Sequence, residues 1–160
     1  MKGDKKVIDY LNKALKLELT TVNQYFLHSR MFKDWGFHRI AKKEYEESID
    51  EMNHADHLIE RILFLDGLPN LQDLDKLYIG ETLKECLECD LKAEQRAHPL
   101  YIEAIEYFDQ VKDYVSREIL VRILESEEDH IDYLETQLGV IEKIGEERFM
   151  QSQLGEEEAG

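Results

Sequence analysis

Two Glu-x-x-His motifs are the residues of this 160-residue chain whose types and spacing most directly indicate chemistry. Glu51 precedes His54 by three positions, and Glu127 precedes His130 by three positions. Side chains three apart on a helix project from the same face, so each motif can offer one carboxylate and one imidazole to a metal ion. The chain has only six histidines, so two such pairs are a specific signal.

A further glutamate accompanies each motif, and the two resulting triplets are offset by a constant 76 residues. The triplets are Glu18, Glu51, His54 and Glu94, Glu127, His130. This offset predicts two similar helical hairpins that contribute matching half-sites. A glutamate from each of two helices, with a Glu-x-x-His motif from each of the other two, is the ligand pattern of di-iron carboxylate bundles.

The charge of these six residues predicts two bound ions. Four ionised glutamates carry four negative charges, which two divalent cations balance when both histidine ligands are neutral. Oxygen-rich ligation with two imidazoles favours iron or manganese over copper, and the lack of a thiolate argues against a structural zinc site. The alternative is a metal-free, hydrogen-bonded polar layer, which would need several carboxylates to be protonated at neutral pH.

Four long segments with apolar residues at helical spacing must position these ligands. We predict that they cover residues 5–34, 38–65, 82–112 and 114–144, followed by a short amphipathic helix over 146–154 and an acidic end that frays. Gly36 ends the first helix, and Gly67 with Pro69 ends the second. Residues 66–81 form a long crossover. The expected fold is an all-α, ferritin-like four-helix bundle, a single di-iron domain over residues 1–160.

Within each predicted helix, inward positions follow alternating steps of three and four residues, and polar residues interrupt each stripe midway. The second helix presents Ile40, Glu44, Glu47, Glu51, His54, Leu58 and Leu65. The third presents Leu83, Leu87, Asp90, Glu94, Ala97, Tyr101, Ala104, Phe108 and Val111. We expect Pro99 to kink the third helix near Gln95, because proline removes a hydrogen bond from the turn before it.

Three residues near the predicted ligands could have further roles. Tyr25 follows Glu18 by seven positions on the same stripe, so it could hydrogen-bond a carboxylate ligand or act as a redox partner, with ordinary packing as the alternative. Glu47 and Asp50 add acid beside Glu51 and could bind iron on an inner surface, although acidic helix surfaces are common without such a role.

Charge and composition argue against other classes of protein. Thirty-six acidic and twenty basic residues give a net charge of −16, which repels phosphate backbones, so nucleic acid is not an expected partner. Residues 1–9 contain no secretory apolar run, and no stretch approaches the length of a membrane span. We expect a soluble, cytoplasmic protein with no membrane partner, in which Cys86 and Cys89 are ordinary reduced thiols.

Four stretches of the sequence closely resemble the bacterioferritin family, and the resemblance spans nearly the whole chain. They are residues 25–28 (YFLH), 30–33 (RMFK), 44–52 (EYEESIDEM) and 67–74 (GLPNLQDL). The resemblance implies iron storage and detoxification. Fe²⁺ would be oxidised to Fe³⁺ by O₂ or H₂O₂ at the di-iron site, and the ferric mineral would be stored inside a homo-oligomeric cage of twenty-four subunits built from two-fold dimers.

The resemblance also implies roles for individual residues. Glu51 and Glu127 would bridge the two irons. Glu18 and Glu94 would be terminal carboxylate ligands, and His54 and His130 would be the two imidazole ligands. A b-type haem would lie between two subunits with Met52 of each as its axial ligand, and a small ferredoxin would supply electrons for iron release.

The residues alone say less about Met52 than the resemblance does. Met52 lies about 100° around its helix from Glu51, so it faces away from the predicted metal site. Other apolar residues extend this second surface: Leu19, Phe26, Ile49 and Ile59. An apolar stripe outside the core is most often a subunit contact, and a lone methionine there is ordinarily filler.

Two other classes of function stay open at this point. A non-storage di-iron oxidase or peroxidase of rubrerythrin-like type would use the same ligand pattern in a small oligomer, although the chain has no rubredoxin-like second cysteine pair. A helical scaffold or haem-carrying interaction protein would use the acidic core layer only structurally.

Overall fold

Five α-helices make up the regular secondary structure of residues 1–155, the part of the chain that the computed structural model describes. They are α1 (Lys5–Asp34), α2 (His38–Phe64), α3 (Leu83–Gln110), α4 (Tyr114–Ile144) and α5 (Glu146–Ser152). The predicted all-α class is confirmed, with four long helices, a long crossover and a short fifth helix. The acidic end at 156–160 lies outside the described residues.

Short polar side chains begin three of the long helices. Asp4 accepts hydrogen bonds from two backbone N–H groups in the first turn of α1, at 2.7 and 3.1 Å. Thr82 and Asp113 each accept one from the third residue of α3 and α4. These contacts satisfy N–H groups that have no partner inside the helix. Because Thr82 is the cap, α3 begins one residue later than its sequence predicted.

The end of α2 differs from the sequence expectation. The helix ends at Phe64, and the residue in the left-handed region is Asp66, with a φ of 60°. Aspartate visits this region more readily than most residues. Gly67 is required for space instead, because a Cβ there would lie 2.8 Å from Ile8 Cγ2 and 3.0 Å from Ile62 Cγ2. The glycine therefore lets the crossover leave α2 close against α1.

The crossover, residues 65–82, is held along one face of α1. Four crossover N–H groups donate hydrogen bonds of 2.9 to 3.2 Å to side chains of this helix. The acceptors are Asn12, Thr20, Gln24 and His28, at steps of eight, four and four. Steps of four keep side chains on one helix face. The path of the crossover is thus fixed by α1, which satisfies its otherwise unpaired backbone donors.

Two apolar clusters fill opposite ends of the bundle. One includes Leu11, Leu58 and Phe108, and it joins the start of α1 to the ends of α2 and α3. The other includes Phe32, Leu87, Leu134 and, from α5, Phe149. Between the clusters lies a layer of buried polar side chains, about halfway along each helix. The apolar ends therefore hold the polar middle in register.

The third helix differs from its prediction in one core position. Val111 is the C-cap of α3 and is 38% exposed, so its assignment to the core stripe is wrong. The helix ends at Gln110, two residues before the predicted end at residue 112, and Lys112 lies in the left-handed region with a φ of 63°. α3 stays helical through Pro99, which has no N–H to donate to the carbonyl of Gln95. The kink near Gln95 stays a prediction.

A partly buried ion pair links α2 to the start of α4, and its loss should destabilise the fold. Arg61 donates to Ser116 Oγ at 2.9 Å and to Asp113 Oδ1 at 2.8 Å. The Arg61 side chain is only 10% exposed. Arg61→Ala should lower the free energy of unfolding by about 1–3 kcal/mol, because Asp113 loses its charged partner and keeps only its hydrogen bonds from Ser116. Thermal unfolding at matched protein concentration measures the change.

The matched control for this prediction is Arg122→Ala. Arg122 pairs with Glu118 at 3.1 Å, and both side chains are more than half exposed. Such exposed pairs contribute about 0–1 kcal/mol. Equal melting temperatures for the Arg61 and Arg122 variants would contradict the prediction.

Candidate metal centre

All six predicted ligand residues meet in the middle of the bundle. They form two overlapping groups whose ligand atoms lie within 4.8 Å of one another: Glu18, Glu51, His54, Glu127 and Glu51, Glu94, Glu127, His130. Every long helix contributes at least one member. Glu51 and Glu127 belong to both groups, which is the position that a carboxylate bridging two ions must occupy. The two-fold pattern of the sequence is therefore a two-fold pattern in space.

The site is withdrawn from solvent. The four glutamates and His130 are each at most 2% exposed, while the His54 side chain is 13% exposed. His54 also lines a groove of about 840 Å³ between α2 and α4. Small ions can therefore approach the layer from the His54 side.

Each histidine points its Nδ1 atom at carboxylate oxygens. His54 Nδ1 lies 3.3 Å from Glu127, 3.6 Å from Glu18 and 3.8 Å from Glu51. His130 Nδ1 lies 3.1 Å from Glu94 Oε1. Imidazole and carboxylate atoms that converge at these separations surround positions where an ion can bond to several of them.

Unpaired atoms test whether a metal fits this site. Five buried atoms of the six residues have no hydrogen-bond partner: Glu18 Oε2, His54 Nδ1, Glu94 Oε2, Glu127 Oε1 and His130 Nε2. Buried polar atoms are normally paired, because leaving one unpaired costs about 1–3 kcal/mol. All five are carboxylate oxygens or imidazole nitrogens, which iron and manganese accept as ligands, and they lie on both halves of the layer. The residues fit a pair of metal ions.

The pKa shifts of the buried glutamates and of His130 show which groups bind protons when no metal is bound. Burial, and then the charges of Glu51 and Glu94, raise the pKa of Glu127 well above its usual range. Burial and Glu94 likewise raise the pKa of Glu51. Burial disfavours charged His130, but its hydrogen bond to Glu94 and the charges of Glu94, Glu47 and Glu51 together outweigh this and raise the pKa to about 9. Burial also acts on Glu94, yet hydrogen bonds from Glu127 and His130 lower its pKa overall. Bound protons thus hold the metal-free layer together.

Two tyrosines donate hydrogen bonds to Glu18 and Glu94 in a crossed arrangement. The Tyr25 hydroxyl donates to Glu94 Oε1, and the Tyr101 hydroxyl donates to Glu18 Oε1 at 2.8 Å. The sequence predicts Tyr25 near a carboxylate ligand. In the structure Tyr25 contacts Glu94, which belongs to the other hairpin. Tyr101 was predicted only as a core residue. Its position, 76 residues after Tyr25, repeats the ligand offset and could have revealed it.

A threonine hydroxyl was also missed by sequence reasoning. Thr21 donates to Glu51 Oε2 at 3.1 Å while it also contacts the backbone of its own helix. The position 76 residues later is Ala97, so this contact has no counterpart in the second hairpin. No repeat signal could have identified it.

The two residues considered for inner-surface iron binding lie in different surroundings. Glu47 is 6% exposed, pairs with Lys43 at 2.9 Å and approaches His130 Nδ1 at 3.9 Å. Asp50 is exposed on α2. Neither belongs to the ligand groups found within residues 1–155. Their role in iron binding stays a prediction.

Met52 lies on the outside of the bundle, as its helical phase indicated. It is 49% exposed and shares its face with Phe26 and Ile49, which are 47% and 43% exposed. Arg30 stacks over the Phe26 and Tyr45 rings at about 5 Å from each centroid. Residues of α1 and α2 form this apolar face. The Met52 thioether on it is accessible to a group outside its own chain.

Two further expectations concern the rest of the molecule. No helix within residues 1–155 has the length and apolar character needed to cross a membrane. Cys86 and Cys89 are free thiols, and burial raises the pKa of Cys86 to about 12. A thiol that resists ionisation is a poor nucleophile and a poor metal ligand, as expected for ordinary thiols.

Comparisons with known proteins match almost the whole chain. Residues 8–144 match the ferritin-like domain family. The bacterioferritin of Brucella melitensis is 56% identical over 151 residues, 94% of each chain. That of Rhodobacter capsulatus is 52% identical over 149 residues, which are 93% of this chain and 92% of the relative. A bacterial ferritin of Pseudomonas aeruginosa is 44% identical over 155 residues, 96% of this chain and all of the relative.

The protons in the metal-free layer predict how stability depends on pH. Folding raises the pKa of His130 from 6.5 to about 9 and that of Glu127 from 4.5 upward. The folded state therefore binds protons that the unfolded chain has released, so stability falls as pH rises from 6.5 to 9. Thermal melts of metal-free protein should show this decline, and saturating Co²⁺ should remove it by replacing the protons.

His98 provides the control for the pH prediction, because its ring is exposed and pairs with Glu128 at 2.7 Å on the surface. His98→Ala should keep the decline between pH 6.5 and 9, whereas His130→Ala should weaken it. A metal-free protein with the same melting temperature across this range would contradict the role given to His130 and Glu127.

Proposed function

Because this chain belongs to the bacterioferritins of the ferritin-like family, we propose that its iron-storage function begins with ferroxidase chemistry at the six-residue site. Fe²⁺ is oxidised to Fe³⁺ there, and the ferric product accumulates inside a cage of twenty-four subunits. Iron storage is the function of the family. The single observation that supports oxidation in this chain is the pair of overlapping ligand groups that share Glu51 and Glu127.

Each ligand residue has a distinct place in this proposal. Glu51 and Glu127 would bridge the two irons, and each half-site would add one terminal carboxylate and one imidazole: Glu18 with His54, and Glu94 with His130. The shared position of the bridging pair and the unpaired atoms of the other four residues support these roles. Four carboxylates then balance two Fe²⁺ ions without any neighbouring cation.

The protein's own contribution is to bind, orient and exchange protons. Fe²⁺ reaches the layer from the His54 side and displaces the protons held by Glu127 and His130. The tyrosine hydroxyls hold Glu18 and Glu94 in place, so both ions meet a preformed set of ligands. The iron pair supplies two electrons, which reduce one O₂ to H₂O₂ with two protons, or one H₂O₂ to two waters with two protons.

A haem b shared between two subunits is the second part of the proposal. Met52 can ligate iron through its thioether, and its apolar face can meet the same face of a second subunit about a two-fold axis. The exposed Phe26 and Ile49 side chains supply apolar walls for the macrocycle. We place the assembly in the cytoplasm, with a small ferredoxin as electron donor for iron release.

The ferroxidase proposal predicts the effect of removing ligands. Glu18→Ala and His130→Ala should each slow initial Fe²⁺ oxidation by about a hundredfold or more, because each removes a ligand from one half-site. Stopped-flow absorbance after anaerobic Fe²⁺ is mixed with O₂ measures the rate. Glu128→Ala and His98→Ala alter a glutamate–histidine pair on the surface of α4 and α3 and should keep the normal rate.

Two outcomes would refute parts of this proposal. Normal oxidation rates in both ligand variants would mean that oxidation occurs elsewhere. A light-scattering mass near that of a dimer, with no iron core after loading, would favour a non-storage oxidase of rubrerythrin-like type over a cage.

The haem proposal predicts a separate spectroscopic change. Met52→Leu keeps the side-chain volume but removes the sulfur, so haem should no longer bind and the Soret band should disappear. Met31→Leu, on α1, is the matched control and should keep the band. Initial Fe²⁺ oxidation should be normal in both variants. A normal Soret band in the Met52 variant would rule out this ligand.

A further inference from the structure

A second buried polar cluster lies next to the metal centre, toward the apolar cluster that contains Phe32. Its members are His28 on α1, Glu44 on α2 and Asp90 on α3, all completely buried. Their ligand atoms lie within 4.8 Å of one another. Asp90 is one helical turn before Glu94, so the cluster adjoins the six-residue site without sharing a residue with it.

Hydrogen bonds fix the tautomer of His28. The backbone N–H of Gly80 donates to His28 Nε2 at 3.2 Å, so Nε2 carries no proton. The ring proton of the neutral imidazole is then on Nδ1, which donates to Asp90 Oδ1 at 2.8 Å. Gln24 Nε2 donates to the same oxygen at 2.9 Å. Both lone-pair positions of Asp90 Oδ1 are therefore used, and neither nitrogen of His28 is free to bind a metal.

Three other oxygens of the cluster have no partner. They are Glu44 Oε1, Glu44 Oε2 and Asp90 Oδ2. Burial, and then the neighbouring Asp90, raise the pKa of Glu44 well above its usual range, so without a cation Glu44 binds a proton. One proton donates only one hydrogen bond, and at least one acceptor stays unpaired. A divalent cation can bond to all three oxygens and neutralise both carboxylates.

The crossover needs His28 as the acceptor for Gly80 N–H, but neither Glu44 nor Asp90 accepts a hydrogen bond from the crossover. The 76-residue offset relates the cluster to positions at the other end of the bundle, which hold Ala14, Ala104 and Leu120. All three are completely buried in the apolar core. Packing at this level of the bundle is therefore satisfied by small and apolar side chains. Polar residues at only one of two equivalent levels indicate a role beyond packing.

We propose that Glu44 and Asp90 bind a third divalent metal ion in each subunit, through Glu44 Oε1, Glu44 Oε2 and Asp90 Oδ2. His28 is a positioning residue, because its Nδ1–H holds Asp90 Oδ1 and leaves Asp90 Oδ2 without a hydrogen-bond partner. An all-oxygen set suits Mn²⁺, Fe²⁺ or Mg²⁺. Glu44, Glu47 and Glu51 lie on one face of α2 at steps of three and four, so a row of carboxylates joins this site to the metal centre.

Anomalous diffraction from Mn²⁺-soaked crystals of the full-length, metal-free protein tests the site. We expect one peak at bonding distance from Glu44 and Asp90, in addition to two peaks among the six residues of the metal centre. Two peaks at the metal centre and none between Glu44 and Asp90 at saturating Mn²⁺ would overturn the proposal and leave a hydrogen-bonded cluster. The peaks at the metal centre are a separate result. Their absence would contradict the proposed function and not the proposed third site.

A charge-matched pair of variants gives an independent measurement. Glu44→Gln removes the charge but keeps an amide that can donate to Asp90, so the fold should be maintained. Glu46→Gln changes an exposed residue of the same helix by the same charge. Equilibrium dialysis against Mn²⁺ should find one ion fewer per subunit in the Glu44 variant than in the Glu46 variant. Equal Mn²⁺ contents would overturn the proposal.

Discussion

Four carboxylates buried at one level of a helix bundle are the constraint on which the rest of the structure depends. An unpaired buried charge costs several kcal/mol, roughly, and four close together repel one another. Hydroxyl donors reach three of them, from Tyr25, Tyr101 and Thr21. Several carboxylate oxygens still have no hydrogen-bond donor, so cations or protons must satisfy them. Apolar clusters on both sides keep the helices close enough for the layer to persist.

The two-fold repeat of the sequence explains much of this buried polar layer. The positions at which the repeat fails are also informative. The crossed tyrosines are related by the same 76-residue offset as the six buried residues, so each hairpin donates a hydrogen bond to Glu18 or Glu94 of the other. The repeat fails at His28, Glu44 and Asp90, whose counterparts are apolar. Symmetry therefore accounts for the two matching ligand groups, and the departure from symmetry identifies a second polar cluster.

Much of the fold and of the ligand set could be predicted because local spacing encodes it. α1 and α4 have the predicted bounds, and Glu51 and His54 converge because three-residue spacing fixes a common helix face. Contacts between distant segments carry no such local signal. The left-handed residue after α2 is Asp66, since Gly67 is needed against Ile8, and only the packed structure shows that close approach.

The protonation of the second cluster depends on the path of the crossover, which no periodicity encodes. Glu44 and Asp90 were both expected to face inward, but nothing in a 46-residue separation pairs them. Their chemistry is set by Gly80, whose N–H reaches His28 only because α1 side chains hold the crossover along one face. Gln24 both holds the crossover and positions Asp90, because its side-chain oxygen accepts from a crossover N–H while its nitrogen donates to Asp90. The segment that closes the bundle topology therefore also decides which oxygens inside the bundle are left for a cation.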